Sequence, residues 1–313
     1  MLADGRQTDS EIAKKTGEPK ESVKRNFAKM EEMGIITGAT THINYKSFGY
    51  KAVAHILINV DSRQEDQLIS YLQKMPEVYS FYSRGVKGNL DVIVILKILE
   101  QLNVIKDEFK RCFTILEMKT AIWTDVKEMN HNLAIMNTNF EKKELAIHYQ
   151  VKAQRSAPES VNLDQTDRKI ADKLSEGGRV SMEKVGKEIG ISYDTAKRKY
   201  EKLKKNGVLK VTIQVNPNKI GYRAICIFFA VTSNENSLAI IGEIGKIPDV
   251  ISIMKTTGDY DLEIYAMVKD LGQFLSVQEQ LGKVQGVTKI DVEITSLERF
   301  EKWPSPRQHI STF

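Results

Sequence analysis

Shifted by 173 residues, the chain overlays itself. Gly5-Arg6 falls on Gly178-Arg179, Gly17 on Gly190, Lys24-Arg25 on Lys197-Arg198 and Gly34 on Gly207, and eight of the 32 pairs from Gly5 to Ile36 are identical. With small gaps the match continues. Phe48-Gly49-Tyr50 meets Ile220-Gly221-Tyr222, Met75-Pro76-Glu77-Val78 meets Ile247-Pro248-Asp249-Val250, and Gly88-Asn89-Leu90-Asp91 meets Gly258-Asp259-Tyr260-Asp261. Glycine and proline punctuate the backbone, so a shared order of them over so long a stretch reads as a tandem duplication. Whatever one copy folds into, the chain must hold twice.

Each copy reads as a helical front and a mixed rear. In the second copy Asp164 is placed to cap a first helix carrying Ile170, Ala171 and Leu174, which Gly177-Gly178 stops. Ser181 opens a short second helix that ends at Gly190. Ser192 caps a third, in which Ala196, Tyr200 and Leu203 recur at helical spacing before Asn206-Gly207 ends it. Val208 to Val215 alternates and is expected to form a two-stranded wing, completing a winged helix-turn-helix. The rear of the second copy reads strand, helix, strand, strand, helix, strand over about 224–232, 235–246, 250–256, 260–268, 270–283 and 287–297. In the first copy the same run covers about 52–60, 63–75, 78–86, 90–98, 100–114 and 115–126. The order βαββαβ is the ferredoxin-like sandwich, two helices on one face of an antiparallel sheet. Its other face is also apolar, because Ile225, Ile227 and Phe229 alternate with Cys226, Phe228 and Ala230. The twin copy is the economical cover for it.

The expected fold class is therefore α+β, two copies of a winged helix-turn-helix followed by a ferredoxin-like domain. The expected divisions are a first head at 1–45, a ferredoxin-like domain at 50–130, a linker at 131–162 marked by Ala157-Pro158-Glu159-Ser160, a second head at 163–216, a second ferredoxin-like domain at 221–300 and an irregular tail at 301–313. The first helix-turn-helix reads as truncated. Copy one opens at Leu2, beside the counterpart of Leu174, and Pro19 stands where Ser192 caps the second copy's third helix.

Several chemistries are excluded. Cys112 and Cys226 have no CxxC or Cys/His spacing, so no metal site or disulfide framework is expected, and both are read as buried small apolar residues. His42, His55, His131, His148 and His309 lack ligand spacing, and no catalytic set or cofactor site can be argued. The longest apolar run, Ala224 to Val231, is too short to cross a bilayer, and no secretory leader opens the chain, so a cytoplasmic protein without membrane contact is expected.

Charge locates the working surface. From Leu163 to Lys210 there are 13 Lys and Arg against 8 Asp and Glu, a surplus of five that equals the net charge of the whole chain. From Met1 to Ile36 the count is seven against seven. Since phosphate neutralisation supplies much of DNA affinity, the second head is the expected grip on double-stranded DNA. Outward on its third helix, Tyr193, Thr195 and Arg198 are assigned to base edges and Lys197, Lys199 and Lys202 to phosphate, with the caps Ser181 and Ser192 beside them. In copy one Lys20, Ser22, Lys24 and Arg25 take these parts.

The chain resembles the Lrp/AsnC family of transcriptional regulators. The residues that carry the resemblance are Leu163-Asp164, Thr166-Asp167-Arg168-Lys169-Ile170, Ile189-Gly190-Ile191-Ser192, Lys197-Arg198, Leu203, Gly207-Val208-Leu209 and Gly258-Asp259-Tyr260-Asp261. The resemblance implies that the rear domain is an effector-binding domain, and that an amino acid or other small molecule binds at its glycine-rich turn between paired domains. The residues so implied are Arg84, Gly85, Gly88, Asn89 and Asp91, with counterparts Thr256, Thr257, Gly258, Asp259 and Asp261. It also implies an intramolecular pseudo-dimer that assembles into homo-oligomers. Siroheme decarboxylases share the two-domain pattern and are the enzymatic rival. Tyr82-Ser83-Arg84 and Asn89 resemble their loop, but Val86 stands where a catalytic His is expected, and Met254-Lys255-Thr256 supplies none. The third reading is an amino-acid-sensing or assembly module with weak DNA binding.

Overall fold

A computed structural model describes residues 4–83, 87–124, 162–233 and 237–297; the expected linker signature Ala157-Pro158-Glu159-Ser160 and the 301–313 tail lie outside them. The first copy runs α1 (Asp9–Thr16), α2 (Lys20–Glu32), β1 (Ile36–Ile43), β2 (Ala52–Val60), α3 (Glu65–Leu72), β3 (Val78–Ser83), β4 (Asn89–Leu96), α4 (Gln101–Cys112) and β5 (Ile115–Trp123). The second runs α5 (Gln165–Glu176), α6 (Met182–Ile189), α7 (Tyr193–Lys205), β6 (Leu209–Val215), β7 (Ala224–Thr232), α8 (Ser237–Ile244), β8 (Val250–Gly258), β9 (Leu262–Val268), α9 (Leu271–Gly282) and β10 (Val287–Ser296). The described residues form two compact units, and the division cuts across the copies. Both fronts, up to Phe48 and from 162 to Tyr222, make one; both rears, from Gly49 and from Arg223, make the other.

In the first unit the expected caps form. Asp164 accepts from the Asp167 amide in a capping box that opens α5, Ser181 opens α6, Ser192 opens α7, and Gly190 closes α6 at φ 76°. Ile170, Ala171 and Leu174 of α5 are buried with Val185, Ala196, Tyr200 and Leu203. By contrast α1 and α2 bury no residue, because among the described residues nothing corresponding to α5 lies over them. Gly186 of α6 stands where a Cβ would come within 2.7 Å of the Ile191 carbonyl oxygen, so the tight turn before α7 is glycine-dependent. Copy one has Ala13 there.

The two-stranded wing expected within a copy is instead built between copies. Residues 209–215 form one strand, β6, paired antiparallel with β1. Thr40 lies opposite Thr212, its own equivalent at a spacing of 172, so a pseudo-two-fold axis passes through that pair. The spacing is 173 before this ribbon and 172 after it, and the register shift between Ile36 and Gly38 is where β1 absorbs the extra residue. Two arginines brace the ribbon reciprocally. Arg6 donates to the carbonyls of Gly178 and Val180 at 2.8 and 2.9 Å, while Arg179 donates to the carbonyl of Gly5 at 2.8 Å. The Arg6 guanidinium also lies over Tyr200, and that of Arg179 over Phe27.

The second unit is an eight-stranded sheet in the order β10-β7-β9-β8-β5-β2-β4-β3. Each half has ferredoxin-like order, and β5 joins the halves by pairing Ala121, Ile122 and Trp123 with Gly258, Thr257 and Thr256 of β8. One face of each half packs on its own helices: Ala54, Ile56 and Ile58 against Leu68, Leu72 and Phe109, and Cys226, Phe228 and Ala230 against Ile240, Ile244 and Leu281. The other faces cover each other, as their apolar alternation required. His55 of β2 donates to the Glu263 carboxylate of β9 at 3.1 Å, and its ring lies 5.7 Å from that of Phe229 on β7. Cys112 departs from its expected place: it is the last residue of α4 and exposed, since its end of the helix faces water, whereas Cys226 is buried.

Candidate nucleic-acid interface

The N-terminus of α7 is held open to solvent by its cap. The Ser192 hydroxyl accepts from the Thr195 amide at 3.2 Å and donates to the Thr195 hydroxyl at 3.0 Å. With Ala196, Tyr200 and Leu203 buried, the helix turns Tyr193, Asp194, Lys197, Arg198 and Lys202 outward, and Tyr193 is 49% exposed. A large, exposed aromatic beside three cations suits contact with bases and phosphates. The Lys197 ammonium sits over the Tyr193 ring. Arg198 and Lys202 make no ion pair among the described residues. Ser181 is exposed and spends its hydroxyl oxygen on the Lys184 amide at 3.2 Å.

Lys199 does not belong with this set. Its ammonium is only 17% exposed and binds Asp164 at 2.5 Å and Asp167 at 2.9 Å, tying α7 to the cap of α5. Burial opposes its charge, but the hydrogen bonds to Asp164 and Asp167 outweigh it and raise its pKa. Lys199→Ala is therefore expected to lower the melting stability of the second head by about 3 kcal/mol, because Asp167, 1% exposed, loses its cation. The same substitution should leave the salt dependence of DNA binding unchanged, which separates it from Arg198→Ala.

In the first head Lys20, Lys24 and Arg25 are exposed on α2 and Ser22 is half-buried, with Arg25 within 3.5 Å of the Ser22 hydroxyl. They share that helix with Glu21, Glu31 and Glu32, so its field is weaker than that of α7.

The effector residues scatter. Arg84 and Gly85, with Val86, lie outside the described residues. Gly88 has φ 94° and a Cβ there would meet the Val60 carbonyl oxygen at 2.5 Å; its amide donates to the buried Glu65 carboxylate. The second-copy turn is engaged in joining the sheet. Thr256 donates to the Tyr260 carbonyl, Thr257 pairs with Ile122, and Gly258, at φ 123°, lies against the Thr120 carbonyl. The Asp259 amide donates to that carbonyl at 3.2 Å, and its carboxylate accepts from the Thr120 amide at 2.9 Å. Asp261 accepts from the Thr232 amide.

Strand register also corrects a pairing of copies. β2 and β7 correspond at a spacing of 172, and Leu57 faces Asp91 as Phe229 faces Glu263. Asp91 therefore corresponds to Glu263, not Asp261, and it is buried in the sheet instead of lining the turn. The residues around it went unread in the sequence. One oxygen of Glu263 receives His55 at 3.1 Å, the Trp123 indole N–H at 3.1 Å and the Tyr265 hydroxyl at 3.0 Å. The other ring nitrogen of His55 is 3.8 Å from Asp91. The signal was present as single ionisable residues inside otherwise apolar strands, Ala-His-Ile at 54–56 and Leu-Glu-Ile at 262–264.

Among the described residues no group of His, Cys, Asp and Glu could hold a metal ion, and no helix is long and apolar enough to cross a membrane.

Residues 226–301 match the family model described as the Lrp/AsnC ligand binding domain. An HTH-type transcriptional regulator of Pyrococcus horikoshii, itself uncharacterized, is 30% identical over 146 residues, which span 46% of this chain and 90% of that protein. The HTH-type transcriptional regulator FL11 of Pyrococcus furiosus is 26% identical over 126 residues, 40% of this chain and 83% of that protein. Among solved structures, the siroheme decarboxylase NirDL in complex with an iron-uroporphyrin III analogue shares the fold over 95% of this chain and 90% of its own, at 16% identity and a TM-score of 0.55. With a head that caps and turns as a helix-turn-helix, a rear domain that matches the family model, and a relative covered almost end to end, the chain belongs to the Lrp/AsnC family of HTH-type transcriptional regulators.

Proposed function

We propose that this regulator binds double-stranded DNA sequence-specifically, and that its second head supplies most of the grip. The observation that carries the reading is the exposed face of α7, where Tyr193, Lys197, Arg198 and Lys202 stand together on the head that holds the positive surplus. Tyr193, Thr195 and Arg198 are assigned to base edges, and Lys197 and Lys202 to phosphate. Lys20, Ser22, Lys24 and Arg25 make the weaker second contact. The heads differ, so the operator is an imperfect repeat. An amino-acid effector is assigned to the glycine-rich turns of the paired domains, around Gly88 and Asn89 in the first copy and Gly258 and Asp259 in the second.

The test is binding to random duplex DNA across a salt series, for the wild type and for Arg198→Ala with Lys202→Ala. Loss of two cations should flatten the slope of log affinity against log salt by about two and weaken binding at every salt concentration. No binding at low salt, or an unchanged slope, would remove the second head from the reading. Adding amino acids one at a time to the same assay tests the effector. The whole-chain likeness to NirDL favours one competing reading, a tetrapyrrole-binding protein. An absorbance titration with iron-uroporphyrin III decides it: stoichiometric binding in a chain with no affinity for DNA would replace the regulator.

A further inference from the structure

The contact between the two ferredoxin-like halves is not symmetric, although the halves are. Asp91 and Glu263 are equivalent positions, both fully buried. Their surroundings are not equivalent. At the same spacing of 172, established by the pairing of β2 with β5 and of β7 with β10, His55 corresponds to Ile227 and Trp123 to Thr295, and β4 and β9 place Ile93 opposite His55 as Tyr265 is placed opposite Ile227. The first half thus supplies the imidazole and indole donors, and the second half supplies the carboxylate that receives them.

We propose that His55, Trp123 and Glu263 form a pairing code, by which the face of the first half accepts the face of the second half and rejects a face like its own. Two second halves brought together would bury two Glu263 carboxylates against Ile227 and Thr295, with no cation between them. Leaving a buried carboxylate without a cation is among the most costly changes a core can suffer. Any like-with-like exchange between chains must leave second halves to pair, so this penalty falls on every such exchange. Apolar surface alone carries no such discrimination, since Ile225, Phe229 and Met267 would pack against many partners. A polar group buried to choose a partner, at a cost in stability, is an attested use of such groups. The two halves of one chain are thereby kept as a matched pair.

The test is refolding from denaturant over a wide range of chain concentrations, with the mass distribution read by light scattering on a sizing column. Wild type should return to its undenatured mass at every concentration. Asp91→Asn with Glu263→Gln removes the charges and keeps the acceptors, so like faces can pair, and higher-order species should rise roughly tenfold across the range, the effect of about 1.4 kcal/mol of lost discrimination. The same mass distribution as wild type in a variant that melts cooperatively would overturn the proposal. A second pair of variants decides the matter if that one does not fold. His55→Ile should become concentration-dependent, and His55→Ile with Ile227→His, which moves the cation to the other half opposite Asp91, should recover the single mass. Failure of the transplanted histidine to recover it would also overturn the code.

Discussion

Glu263→Ala is expected to cost about 3–5 kcal/mol at neutral pH, close to the whole margin of many domains. The reason is what it leaves behind. Burial by itself would strip the proton from His55, but the Glu263 carboxylate and Asp91 reverse that and hold the imidazole pKa up to about 10, against an ordinary value of 6.5. The folded value lies above the unfolded one, so the stabilisation is complete below about pH 6.5 and is lost as pH rises through about 10. Wild type should therefore lose several kcal/mol between pH 7 and about 10, the free energy of a shift of this size. Tyr265 does not confuse the profile, because burial and the neighbouring Glu263 push its hydroxyl well above the ordinary tyrosine value and it stays a donor throughout. Urea midpoints taken at intervals across that window, for wild type and Glu263→Ala, check both halves of the expectation. The variant should start lower and show a flatter decline. A parallel decline in the two proteins would mean that His55 is not the group that titrates.

The order of the elements was legible because local chemistry dictates it. Asp164, Ser181 and Ser192 each satisfy amides at a helix start, whatever the helix later packs on, and the apolar periods of the rear halves change from 3.6 to 2 where helices give way to strands. The doubly apolar strand at 224–232 announced that a second body must cover it. What could not be read was partnership between copies. A strand pattern says that 209–215 is extended, but not that its partner is 36–43, more than 160 residues away, and a local wing satisfied the same pattern. The glycine match that set Asp91 against Asp261 failed for a related reason. Gly88 and Gly258 both have positive φ, yet they occupy different steps of hairpins of equal span, so matching glycines displaced the register by two. Lys199 was misplaced because its spacing puts it outward on an isolated helix, whereas α5, from 35 residues upstream, lays two carboxylates over it.

Gly5→Ala is expected to cost about 2–3 kcal/mol in the first unit, the range of an overpacked core, although it adds only one methyl group. Gly5 and Gly178 are equivalents across the pseudo-two-fold, and each lies flush on the other copy's strand. The Gly5 amide donates to Val211 of β6 at 2.7 Å, and the Gly178 amide to Ala39 of β1 at 3.2 Å. A Cβ on Gly5 would stand 2.7 Å from the carbonyl carbon of Thr212 and 3.0 Å from the amide nitrogen of Ile213, and neither can yield without moving β6. A Cβ on Gly178 would meet the Val211 side chain at 2.8 Å and the backbone only from 3.0 Å, at the Thr40 carbonyl oxygen, so Gly178→Ala should cost less. The consequence reaches function because the ribbon and its reciprocal arginines are what fix one head relative to the other. Two heads held rigidly gain affinity on a two-half-site operator that heads with a disordered ribbon lose. Gly5→Ala should therefore melt early and also bind a two-half-site duplex more weakly, while its affinity for a single half-site stays at the wild-type level. An equal loss on both duplexes would place the damage inside a head instead of between the heads, and unchanged melting would show that β6 accommodates the methyl group after all.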